Sequence, residues 1–92
     1  MEYLLELAPG IYLRRNDRYI ISTRGDAVSY TGRLIDVERN HLTLQDVTKS
    51  YRDWFCNEIT EEYPAVKFKL EDIAFINHTA IGILNIRGLK MP

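Results

Sequence analysis

Apolar and polar residues alternate in short runs along this chain, and turn-forming residues punctuate the runs. Leu42 and Leu44 alternate with His41, Thr43 and Gln45, and Val66, Phe68 and Leu70 alternate with Lys67 and Lys69. Successive strand side chains point to opposite faces, so this period marks strands with one face in a core and the other in solvent. Five strands are expected, over 19–23, 27–37, 41–47 with a continuation toward 51, 65–70 and 73–76. Arg24-Gly25-Asp26 forms a turn after the first. Asp36, Glu38, Arg39 and Asn40 crowd between the second and third, where short polar side chains bond nearby backbone and tolerate unusual dihedrals. Glu71-Asp72 breaks the fourth from the fifth. The second strand is long and carries Gly32 inside it, a place for a strong bend or a close backbone approach.

The remaining stretches are less periodic. Residues 1–7 (MEYLLEL) suit one helical turn or an edge strand and are read as extended, before a turn at Pro9-Gly10. A short apolar piece at 11–13 precedes a polar run at 14–18. Residues 53–64 (DWFCNEITEEYP) mix aromatics, acids and a proline, and are expected to form a loop or a splayed hairpin tip. Residues 79–86 are strand-like and lie beyond the five. Short strands, frequent turns and no long amphipathic helix indicate a small all-β barrel.

At 92 residues the chain supports one core and hence one domain. A domain of this size gains stability from self-association. Lys and Arg number 12 against 13 Asp and Glu, for a net charge of -1. A duplex-DNA binder is expected to be plainly basic, so double-stranded DNA is not an expected partner. The charge is uneven, however. Arg14, Arg15, Arg18, Arg24 and Arg33 cluster early, while Asp46, Asp53, Glu58, Glu61, Glu62, Glu71 and Asp72 dominate the later half. A two-signed surface of this kind suits RNA on one side or contacts between unlike edges of two copies.

Cys56 is the single cysteine, which rules out an internal disulfide and fits a reducing compartment. Glu2 and Glu6 stand where a secretory signal carries positive charge, and no segment reaches the apolar length that spans a bilayer. A cytoplasmic protein with no membrane partner is expected. His41 and His78 belong to no metal-ligand spacing, the acids at 58–62 lack calcium-loop spacing, and no glycine-rich phosphate loop occurs. Cys56 beside Trp54 and Phe55 reads as a small hydrophobe rather than a nucleophile. Neither catalysis, a metal nor a cofactor is expected.

The order Gly32-x-Leu34, Asp36-x-x-x-Asn40, Leu42-x-Leu44-x-Asp46 resembles the first motif of the Sm/LSm-like family, which includes the bacterial host-factor RNA chaperones. Residues 68–76 (FKLEDIAFI) resemble its second motif, with Lys69 where the host-factor branch carries a lysine. The resemblance covers about 19–76. It implies a strongly bent, five-stranded Sm-like (SH3-like) barrel over those residues, with extensions at 1–18 and 77–92. It further implies a homo-oligomeric ring, closed where 65–70 of one subunit pairs with 73–76 of the next, and single-stranded U- or A-rich RNA at the central pore. By the same resemblance Asn40 bonds base edges, Lys69 packs over a base or neutralises phosphate, and Asp36 orients the loop. Arg39 offers a flat guanidinium for stacking. Two places depart from the family. Pro9-Gly10 interrupts its usual first helix, and Glu38 replaces its stacking residue with a carboxylate that repels phosphate. A ring that binds proteins instead of RNA accommodates Glu38, and an unrelated SH3-like or OB barrel acting as a monomeric adaptor accommodates the strands alone.

Overall fold

The computed structural model describes residues 3–79 and 82–84, the latter by backbone. The fold is all-β, with one 3-10 turn at Leu70–Asp72. Eight strands follow in order: β1 (Leu4–Ala8), β2 (Ile11–Arg14), β3 (Arg18–Thr23), β4 (Ser29–Glu38), β5 (His41–Arg52), β6 (Glu58–Lys69), β7 (Ile73–His78) and β8 (Gly82–Leu84). β1 and β2 form a separate hairpin, and the other six make one sheet in the order β6-β5-β4-β3-β7-β8. Its pairings are all antiparallel. Among the described residues β6 and β8 remain the sheet's two edges, so backbone pairing leaves the sheet open.

The expected strands appear with shifted ends. Residues 1–7 are extended from Leu4 onward, and Pro9-Gly10 supplies a tight β1–β2 turn between Ala8 and Ile11, which pair. Proline fixes the first turn position and Gly10, at φ 80°, takes the left-handed second one. Leu5, Leu7 and Leu13 of this hairpin join the core. Of the strand-like residues 79–86, Gly82–Leu84 form β8 on the outer side of β7, pairing Ile76 with Leu84 and His78 with Gly82. Thr79 sits in a turn and donates its amide to the Arg18 carbonyl at 3.1 Å, while residues 80, 81, 85 and 86 lie outside the described residues.

Residues 53–57 form the expected hairpin tip, but 58–64 correct the reading of that stretch. The irregular part is confined to 53–57: β5 runs on to Arg52, β6 begins at Glu58, and one unbroken register links Arg52–Glu58 to His41–Lys69. The two strands thus extend past the core as an arm. Both faces of the arm are solvated, so it shows no apolar alternation, and the acids that suggested a loop are cross-strand partners. Thr48 donates to Glu62 at 3.1 Å, Ser50 to Glu58 at 2.8 Å, and Lys49 lies 3.8 Å from Glu61. Pro64 is accommodated in β6, an edge strand among the described residues, where a missing N–H costs least.

The core gathers Tyr19 and Ile21 of β3, Leu34 of β4, Leu42, Leu44 and Val47 of β5, Phe68 of β6, and Ile73 and Ile76 of β7. Between Leu44 and Val47 the inward face of β5 shifts by one residue. Asp46, in the left-handed region at φ 53°, makes that shift, and the β4–β5 register slips at the same place. Gly32 lies against this bend. His78 is buried, and its Nε2 lies 2.6 Å from the half-buried Asp17 carboxylate, with the Tyr19 ring edge-on to the imidazole.

Candidate functional site

The turn between β4 and β5 is two residues long, since Glu38 pairs with His41. Asn40 closes it at φ 68°, a conformation that asparagine tolerates better than most side chains. Across β5, His41 pairs with Lys69 at the end of β6. The next residue, Leu70, donates its amide to the Asn40 carbonyl at 2.9 Å. That bond ties the β4–β5 turn to the segment leading into β7.

The two segments meet the Pro9-Gly10 end of the β1–β2 hairpin and enclose a cleft of about 640 Å³. Leu7, Ala8, Pro9, Val37 and Leu70 give it an apolar floor. Arg39, Asn40, His41 and Lys69 lie on its rim together with Glu6, Glu38 and Glu71. Arg39, Asn40 and Lys69 are exposed, whereas His41 is half-buried with its Nδ1 3.3 Å from the Arg39 carbonyl. A neutral tautomer protonated at Nδ1 donates to that oxygen and leaves Nε2 as an acceptor. Glu38 lies 3.5 Å from Lys67, a surface pair that contributes little to stability.

Three of the four residues singled out from the sequence, Arg39, Asn40 and Lys69, therefore share one cleft. The fourth, Asp36, is half-buried on β4 opposite Thr43 and does not line it. The sequence reading missed His41, Glu71 and the Glu6–Pro9 wall. For His41 the signal was present: it and Lys69 occupy the non-core phase of strands whose core residues are Leu42 and Phe68. The Glu6–Pro9 wall arrives by tertiary packing, which no local pattern announces.

The cleft combines an apolar surface with polar and charged groups. Among its lining side chains are an amide, an imidazole, a guanidinium and an ammonium that can donate hydrogen bonds. Among the described residues no group of three His, Cys, Asp or Glu side chains is placed to hold a metal ion. No helix among them is long and apolar enough to cross a membrane.

A second polar cluster lies on the arm. The Tyr63 and Tyr51 hydroxyls donate to Glu61 at 2.7 and 3.1 Å. These bonds, Tyr63's foremost, hold the Glu61 carboxyl below its ordinary range, and they push both phenols up. The Lys49 ammonium sits 5.4 Å from the Tyr51 ring centroid and 6.0 Å from that of Tyr30. Tyr30 contributes most to raising its pKa. This cluster fixes the two strands of the arm to each other, well away from the cleft. Comparison with protein-family models and with curated proteins finds no match for the chain.

Proposed function

We propose that the chain is an Sm-like module that assembles into a homomeric ring and binds single-stranded RNA in the cleft beside Asn40. The observation that carries this is the Leu70–Asn40 hydrogen bond of 2.9 Å, which sets Arg39, Asn40 and Lys69 around one apolar-floored cleft. Unstacked bases need a flat or apolar surface, donors for their edges and a cation for the phosphate. Val37 and Leu70 with the Arg39 guanidinium supply the first, the Asn40 amide the second and Lys69 the third.

Further support comes from β3, β4, β5, β6 and β7, which lie in one antiparallel sheet over the stretch where the resemblance implies five strands. In this proposal those strands curl into a small SH3-like barrel, with Asp46 and Gly32 supplying the bend. Ring closure uses the inner part of the β6 edge, residues 65–69. On the neighbouring copy β8 already covers Ile76–His78, so the contact there falls on 73–75 and β8.

A protein ligand in the same cleft is favoured by Glu6, Glu38 and Glu71, whose carboxylates oppose phosphate. Titration with short U-rich and A-rich oligonucleotides at several salt concentrations, beside a mass measurement in solution, separates the two. RNA binding predicts saturable, salt-weakened association with an oligomer. An oligomer that binds neither oligonucleotide at low salt assigns the cleft to a protein ligand, and a monomer at high concentration removes the ring.

A further inference from the structure

β6 presents two different edges. Pro64 divides the strand into an inner part beside the core and an outer part, 58–63, on the arm. Among the described residues the outer part is bonded to β5 on one side only, because β6 ends the sheet. Its backbone groups on the other side therefore face outward, as a template for another strand. Glu58 and Glu62 project on one face of it and Glu61 on the other.

The carboxylates of Glu58 and Glu62 accept hydrogen bonds from Ser50 and Thr48, and among the described residues no cation bonds either of them. Arg52, opposite Glu58, donates instead to the Cys56 carbonyl, so neither carboxylate is held by an ion pair among the described residues and both remain open to an incoming cation. Acidic residues on an edge commonly just prevent aggregation, but this edge leads to a tip that prevention does not explain. Trp54 and Phe55 stand there 92% and 79% exposed.

The tip is held in place. The Asp53 carboxylate accepts from the amides of Phe55 at 2.8 Å and Asn57 at 2.9 Å. Cys56, at φ 66°, donates its amide to the Asp53 carbonyl at 3.0 Å, and Arg52 donates to the Cys56 carbonyl at 2.8 Å. Two adjacent aromatics are thus displayed by a built turn at the end of an acidic, half-paired strand.

We infer that the outer edge of the arm receives, by strand addition, an extended basic segment of a partner protein whose apolar residues cover Trp54 and Phe55. Backbone pairing supplies affinity and the alternating side chains supply selectivity. Lysine or arginine at alternate positions meets Glu58 and Glu62. A second copy of the arm is disfavoured, since centring two antiparallel copies on Thr60 sets Glu58 against Glu62. Nucleic acid and anionic lipid meet the same repulsion. This site is independent of the cleft.

The test uses a blocked peptide of about eight alternating lysine and valine residues, a usual strand length, with an alternating glutamate and valine peptide as control. Trp54 is the chain's one tryptophan, so its emission reports the tip directly. The expected result is saturable binding of the lysine peptide, weakened by salt, with a blue shift of Trp54 and new amide-exchange protection within 58–63. The double variant Glu58→Lys, Glu62→Lys, with its cleft amides unchanged, is expected to lose about tenfold or more in affinity for the lysine peptide and gain for the control. Equal binding of both peptides, binding of neither, or protection outside the arm overturns the inference. So does a Trp54 shift produced by protein concentration alone, by oligouridylate or by anionic vesicles in place of the lysine peptide.

Discussion

Gly32 lies directly against Val47: a Cβ built on the glycine would stand 3.0 Å from Val47 Cγ2, 3.0 Å from the Gln45 carbonyl oxygen and 3.1 Å from the Leu44 Cβ. Two of these three atoms belong to the bend that Asp46 creates, and the carbonyl oxygen is backbone and cannot swing aside. The glycine is required by close approach, since its φ is not in the left-handed region. Gly32→Val is expected to cost about 1–3 kcal/mol, the usual range for overpacking a filled core. Gly32→Ala is expected to show a smaller loss. Denaturant unfolding measures both, and an unchanged midpoint for Gly32→Val would place the bend elsewhere.

In this proposal Asn40 has two separable tasks. Its φ of 68° suits the turn, and the residue lines the cleft. Asn40→Ala disturbs both and is expected to lose about 1 kcal/mol of stability through the left-handed backbone alone. Asn40→Gly keeps the turn and removes only the amide. It should retain stability while eroding the preference among bases. An Asn40→Gly protein with undiminished base preference would assign Asn40 to the turn only.

Lys69 and Glu38 act on the cleft through charge. Lys69→Ala is expected to weaken all RNA sequences about equally and lower the salt slope by about 1. Glu38→His removes a carboxylate, frees Lys67 from its 3.5 Å contact and adds a flat ring. It is expected to tighten RNA binding by roughly 1–3 kcal/mol per stacked base. Weaker binding of Glu38→His would show that the carboxylate supports the site.

The arm carries a pH dependence with a definite sign. The backbone amide of Asn57, and after it that of Phe55, holds the Asp53 carboxyl below its ordinary 3.8. A carboxyl depressed in the folded state adds stability above its unfolded pKa, and that contribution is lost as pH falls through the folded value. Glu61 is depressed from 4.5 chiefly by the Tyr63 hydroxyl and shifts stability in the same direction. Amide exchange at Phe55 and Asn57 is therefore expected to accelerate, after correction for intrinsic rates, as pH drops below the ordinary carboxylate range. Asp53→Ala should show fast exchange already at neutral pH. Exchange at these amides that is independent of both would remove Asp53 from the turn.

How far the sequence could be read depended on burial. Leu42, Leu44, Val66 and Phe68 announce β5 and β6 near the core because one face of each strand is buried there. Past Val47 the same strands have no buried face, so Lys49, Tyr51, Glu61 and Tyr63 leave no hydrophobic period to detect. Their cross-strand bonds follow only once the register is known. The cleft was half legible. Asn40 and Lys69 stood out by motif, whereas Leu7 and Pro9 reach it through a hairpin whose docking depends on the whole core.

The cleft itself is tested most directly by mapping amide chemical shifts during titration with a short oligouridylate at low salt. The account predicts saturable shifts at Arg39, Asn40, His41, Lys69 and Leu70, with the amides of Phe55 and Asn57 on the arm unmoved. Shifts confined to the arm, or none at any residue, would contradict RNA binding at this site.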